Sequence, residues 1–241
     1  MVNEIAELLP REAFEKISPE SIQLNSYSAT FSGRPDKPWY QYLRFIVLTL
    51  GAGYLYSWAT RNVEEFAKGR SLSILDAACG DGVFQAYLSS RHSYIGLDFS
   101  ARPLFRAQRY HSARYYRADL NHIPFPSATF DVVVSLQTLQ YLARPEFALA
   151  ELARVLKAGG RLLLTVPNRQ CFKYRWQGIP RIQLQRFDRE TLESLLSRNF
   201  DVERLQTRGM WVPVPKLPVH IPGVYGIDFG LSWTVLATLK K

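Results

Sequence analysis

From Ser71 onward, short apolar runs alternate with longer amphipathic segments. The runs SILDAA (73–78), SYIGLD (93–98), ARYYRA (113–118), FDVVVSL (130–136) and GRLLLTV (160–166) have strand length. Runs of four to eight apolar residues separated by helical stretches predict βαβ units around a parallel sheet buried on both faces. The intervening helices are expected at 83–90, 101–111 and 145–156. In the last of these, Phe147, Leu149, Leu152, Val155 and Leu156 form an apolar face. Pro145 suits its first turn, and Gly159 and Gly160 are expected to stop it. Asp188 reads as the N-cap of a further helix, followed by two closing strands, FDVERLQTRGMW and LSWTVLATL.

Residues 1–70 read differently, as a helical and irregular extension or lid punctuated by Pro10, Pro19, Pro35 and Pro38, preceding a domain over 71–241. The uncharged stretch 45–60, FIVLTLGAGYLYSWAT, is shorter than the roughly 20 apolar residues of a membrane span and is diluted by Thr, Ser and Gly. It is expected to be a buried helix, with peripheral membrane contact as the alternative. An apolar, proline-rich insertion over about 209–230 lies between the last two strands, as a pocket wall or a packed-down connection.

A chain of 241 residues with 47% hydrophobic and 21% charged residues can bury one sizeable core. Its beginning lacks the basic and apolar regions of a secretory signal, and its two cysteines, Cys79 and Cys171, read as free thiols; both point to the cytoplasm. The net charge of +9 is clustered: five arginines without an acid over 102–117, and six cations against Asp188 over 169–189. Such clusters favour anionic partners, or they simply solvate helix and loop faces. No dedicated nucleic-acid module accompanies them.

The segment ILDAACGDGVF (74–84) carries the chemistry. A strand runs into Gly80-Asp81-Gly82 and then a predicted helix, so the chain can turn sharply and a ligand can approach the backbone. The third glycine of a dinucleotide fingerprint is missing, because Gln85 stands there, which disfavours a pyrophosphate cofactor. Asp98 ends the second strand, sixteen residues after Gly82, where a carboxylate can accept two hydrogen bonds from a ribose diol. Asp119 ends the third strand, in place to accept from an adenine amino group.

Taken in order, DAACGDG (76–82), GLD (96–98), ADL (118–120), IPFP to FD (123–131) and ELARVLKAGG (151–160) resemble the class I S-adenosylmethionine-dependent methyltransferases, particularly the quinone-biosynthesis and small-molecule branch. The resemblance implies a Rossmann-like α/β fold, a seven-stranded, mostly parallel sheet with helices on both faces. It implies S-adenosyl-L-methionine as cofactor, with Ala78, Gly80 and Gly82 lining its methionine part and Asp76 supporting the turn or the ammonium. Asp98, with Phe99 beside it, would take the ribose, Asp119 and Leu120 the adenine, and Gln137 the methionine end.

Two positions depart from the pattern: Ala78 replaces a turn glycine, and Leu139-Gln140-Tyr141 stands where many relatives have Leu-Glu-His. Methyl transfer by in-line displacement needs alignment and exclusion of water more than a covalent nucleophile, and no metal. If the acceptor must lose a proton, Tyr141 and His122 are the candidate bases, against packing or surface roles for each. Acceptor recognition is expected from Tyr27, Trp39, Tyr40 and Tyr42 in the extension, from the 209–230 insertion, and from Phe172-Lys173-Tyr174-Arg175-Trp176, where period-two alternation would put the rings on one side. The acceptor is expected to be a small aromatic or lipophilic molecule; an RNA or protein methyltransferase and an inactive cofactor-binding partner are the alternatives.

Overall fold

The computed structural model describes residues 6–7, 38–179, 183–212, 219–225 and 230–240. Among the described residues nine strands form one sheet: β1 (Ala6–Glu7), β2 (Ser73–Ala77), β3 (Ser93–Asp98), β4 (Arg114–Arg117), β5 (Phe130–Leu136), β6 (Leu156–Pro167), β7 (Phe200–Val212), β8 (Val219–Tyr225) and β9 (Ser232–Leu239). Their order is β1-β4-β3-β2-β5-β6-β9-β7-β8. The pairs from β1 to β6 are parallel, and those joining β6, β9, β7 and β8 are antiparallel. The seven strands from β4 to β7 in that order are the expected mixed sheet. The short β1 and the hairpin strand β8 extend its two edges.

Period-two alternation divides the side chains between two faces. Leu75, Val133, Leu162 and Leu164 join one core with α3 (Pro145–Val155) and α5 (Arg189–Leu196). Ile74, Val132, Val134 and Leu163 face the other, against α1 (Pro38–Ala67) and α2 (Ala101–Tyr110). On α1, Leu55, Ala59, Val63 and Ala67 recur every four residues and are buried, which is the stripe a helix lays on a sheet. The second half of the 45–60 run is therefore core helix, and among the described residues no helix is long and apolar enough to cross a membrane.

Several local expectations change. The predicted helix at 83–90 is a 3-10 turn, Val83–Tyr87. Gln85 and Leu88 donate to carbonyls three residues back, which seats Phe84 in the core and Tyr87 against the Tyr56 ring of α1. Helix α3 ends at Val155, ahead of Gly159 and Gly160, because Leu156 already pairs with Phe130 in the sheet. Residues 157–160 loop out before Arg161 resumes the ladder opposite Val132, and a Cβ on Gly160 would meet the Lys157 carbonyl at 2.8 Å. The 172–176 segment is helical, α4 (Phe172–Gln177), so its rings do not alternate by twos. Arg175 and Gly178 bond back to Cys171 and Tyr174, and Gly178 at φ 76° ends the helix. Much of the 209–230 insertion is strand, since Val212 and Trp211 pair with Val219 and His220. Asp188 caps α5 as expected, its Oδ1 accepting from Thr191 N at 3.0 Å.

Candidate functional site

Strand order reverses at β2, whose neighbours β3 and β5 are reached by crossovers in opposite directions, and the carboxyl ends of these strands open the crevice where α/β sheets take ligands. Ala78 and Cys79 leave β2 with both N–H groups donating to Leu97 O, at 2.7 and 2.9 Å. Ala78, Gly80 and Gly82 all take positive φ, 72°, 54° and 72°. For the two glycines this conformation is free of Cβ strain; Ala78 bears a cost of order 1–2 kcal/mol where a glycine would not. A Cβ on Gly82 would lie 2.5 Å from the Tyr115 hydroxyl, whereas one on Gly80 would meet nothing within 4 Å among the described residues beyond its chain neighbours, leaving space over the turn.

Two carboxylates flank this turn. Asp98 Oδ2 accepts from Gly80 N at 2.9 Å and its Oδ1 from Ser100 N at 2.8 Å. Burial raises the Asp98 carboxyl, and those N–H donors oppose the rise. Asp76 is 2% exposed and receives the Tyr94 hydroxyl at 2.6 Å. Its carboxyl is pushed up to about 7, chiefly by burial, with the Tyr94 bond opposing and Asp98 adding. Cys79 lies beside both, its thiol held well above the usual range by burial and by Asp76 and Asp98. Asp81 faces outward to α2, where Arg106 Nη2 pairs with its Oδ1 at 2.7 Å. Phe99 follows Asp98, with the Arg117 guanidinium 5.9 Å from its ring centroid.

After β4, Asp119 Oδ1 accepts from Asn121 N and Nδ2 at 2.9 and 3.0 Å, and Leu120 is buried. Asn121 Oδ1 is buried without a partner, an acceptor that an exocyclic amino group would satisfy. After β5, Gln137 stands at φ 57°. Its N–H donates to Thr165 O at 2.9 Å and its carbonyl receives Gln140 Nε2 at 2.7 Å. Its side-chain Nε2 donates to Thr165 Oγ1 and Ser232 Oγ, each at 3.2 Å. A glycine turn between two carboxylates, an orphaned acceptor beside Asp119 and a fixed amide after β5 are the groups here that could hold S-adenosylmethionine.

The two candidate bases are placed unequally. Tyr141 closes a 3-10 turn (Leu139–Tyr141) on the same β5 exit as Gln137. His122 is exposed on the turn after β4, separated from the β5 exit by β3 and β2, which at the usual strand spacing is on the order of 14 Å. Tyr27 lies outside the described residues, and Trp39, Tyr40, Tyr42, Phe172, Trp176 and Trp211 are described as backbone only. Tyr54, Tyr94, Tyr115, Thr165 and Ser232 border the site and escape a linear reading. None belongs to a local motif, and the sheet brings them together from five elements.

A Rossmann-like sheet with this turn and these acidic strand ends is a nucleoside-binding class of α/β domain. Residues 75–164 match the Methyltransferase domain family. A malonyl-[acyl-carrier protein] O-methyltransferase of Erwinia pyrifoliae is 35% identical over 126 residues, 50% of this chain and 48% of that protein. The chain thus spans about half the length of the curated relatives it matches. A solved S-adenosylmethionine-dependent methyltransferase of Thermotoga maritima has the same fold, with TM-score 0.60 and 20% identity over 83% of this chain and 95% of that one. So does the methyltransferase of Haloferax volcanii solved with the Trm112 activator, with TM-score 0.61 and 15% identity over 91% and 96%. Residues 75–164 are thus similar to the methyltransferase domains of S-adenosylmethionine-dependent enzymes, on a fold that the solved structures share.

Proposed function

We propose that the protein transfers the methyl group of S-adenosylmethionine to a small lipophilic acceptor approaching from the β5–β6 side of the sheet. The observation that carries the cofactor half is the Ala78–Gly82 turn, open above Gly80, with Asp98 bonded to Gly80 N and Asp76 at its base. When bound, the cofactor supplies an electrophilic sulfonium methyl that leaves in line toward the acceptor. In this reading Asp98 accepts from the ribose hydroxyls, Asp119 and Asn121 from the adenine amino group, and Asp76 and Gln137 face the methionine end. The chain's remaining task is to orient and dry the acceptor, with Tyr141 in place to take a proton where the acceptor must lose one.

The charge pattern supports a small acceptor over a polyanion. Arg106 is tied to Asp81, Arg117 donates to Phe99 O, Arg169 pairs with Asp188 and Arg189 with Glu193, so both basic clusters are partly spent on internal contacts. The Erwinia relative favours a second reading, in which the small acceptor is an acyl group on a carrier protein. Turnover of a carrier-bound acyl thioester but not of the free acid selects it.

Calorimetry with S-adenosylhomocysteine tests the cofactor reading. Asp98→Ala removes a pair of charge-assisted hydrogen bonds worth roughly 1.5–3 kcal/mol each and should weaken binding at least tenfold. Equal affinity in the folded variant overturns the ribose assignment.

A further inference from the structure

The methionine side of the crevice is closed by a residue of α1. Tyr54 lies partly buried with its hydroxyl 3.4 Å from Ser232 Oγ of β9. Ser232 Oγ receives Gln137 Nε2 at 3.2 Å, and Gln137 Nε2 also reaches Thr165 Oγ1 of β6. A hydrogen-bonded chain thus runs Tyr54–Ser232–Gln137–Thr165, joining α1, β9, the β5 exit and β6. The phenol ring lies against Gly209 of β7, where a Cβ would stand 2.9 Å from Tyr54 Cζ; a side chain there would displace it. Burial raises the Tyr54 phenol, so it stays protonated near neutral pH and serves as a neutral hydrogen-bonding group, not a base.

The chain passes through an over-determined residue. Gln137 holds a left-handed conformation that non-glycine residues adopt at a cost, and its N–H, carbonyl and Nε2 are each fixed by partners. Its Oε1 is the remaining group, with no hydrogen bond among the described residues. Nε2 is anchored by two hydroxyls, so the amide cannot rotate without breaking both bonds, and Oε1 is a preset acceptor.

We propose that Tyr54 is a positioning residue that, through Ser232, fixes the Gln137 amide so that Oε1 receives the ammonium of the cofactor's methionine end, making α1 part of the cofactor site. This rests on the cofactor reading above. Its signature is selectivity within the ligand, since only the amino-acid part of the cofactor meets Gln137.

The test compares S-adenosylhomocysteine with 5′-methylthioadenosine, which shares the adenosine and thioether but lacks the amino-acid part. Tyr54→Phe and Ser232→Ala should each weaken S-adenosylhomocysteine about threefold to tenfold, the range of one net hydrogen bond, and leave methylthioadenosine unchanged. The double variant should be little weaker than the poorer single, because both break one chain. Unchanged S-adenosylhomocysteine affinity in both variants overturns the proposal, and so does equal weakening of the two nucleosides, which would mark general damage to the α1 packing. Asp98→Ala, measured alongside, should weaken both nucleosides. If it weakens neither, or if the wild-type protein binds neither, the cofactor reading fails and the proposal with it.

Discussion

At Asp76, enclosure and chemistry pull in opposite directions. A carboxyl that titrates near 3.8 in solution is raised to about 7 at the base of the turn. Because the folded value lies above the unfolded one, ionised Asp76 costs stability: the cost is absent below about pH 4, grows as pH rises, and is complete above about pH 7. Asp76→Asn keeps an acceptor for the Tyr94 hydroxyl and removes the buried charge. We expect it to melt above the wild type at pH 8, with a ceiling of about 4 kcal/mol for a shift of this size, and the advantage to shrink by pH 5. Thermal melts at the two pH values check the sign. On the proposed placing of Asp76 at the methionine end, the same variant should bind S-adenosylhomocysteine at least tenfold more weakly, since an ammonium there would lose a charged partner. Higher stability with lower affinity would mark strain kept for function; lower stability at pH 8 would contradict the assigned enclosure.

Among the elements, the loop bearing Asp119 and Leu120 has its own support. Arg154 of α3 donates Nη1 to Phe125 O and Nη2 to Ile123 O, each at 2.8 Å, and Glu151 Oε2 receives Ile123 N at 2.8 Å. Arg154 Nε and Nη2 also bond Glu151, which holds the Glu151 carboxyl below its usual range. One planar guanidinium therefore locks helix to loop, a geometry that a lysine ammonium cannot reproduce. Arg154→Lys should cost about 1–3 kcal/mol in denaturant unfolding and, on the proposed assignment of this loop to the adenine, weaken S-adenosylhomocysteine by displacing it. Affinity at the wild-type level in that variant would show that the loop keeps its shape without the clamp.

For the whole molecule, the question is where a charge of +9 goes. With arginines of both clusters already bonded to acids or carbonyls, RNA should bind weakly. Its association should fade as salt rises from about 50 to 200 mM, the mark of a few loose phosphate contacts. Filter binding across that range decides this. A tight, saturable complex surviving at the upper salt would replace the small-molecule acceptor with a nucleic acid.

Local pattern was enough to place the parallel strands β2, β3, β5 and β6, because strands buried on both faces are largely apolar, and β4 by its aromatic pair, and enough to place the turn, because positive φ and close approach demand small residues. The strand end at Asp98 was legible, and that of β4 within two residues, at Arg117 instead of Asp119, because strand ends in this topology recur at set intervals along the chain. The length of β6, the 3-10 turn after Gly82 and the helical α4 were not legible, since competing sheet pairs and packing settle such choices when intrinsic preferences differ by fractions of a kcal/mol. The polar chain from Tyr54 to Gln137 lay furthest from view. Tyr54 and Ser232 are 178 residues apart, and it takes both α1 laid on the sheet and the antiparallel return of β9 beside β6 to bring the two hydroxyls together.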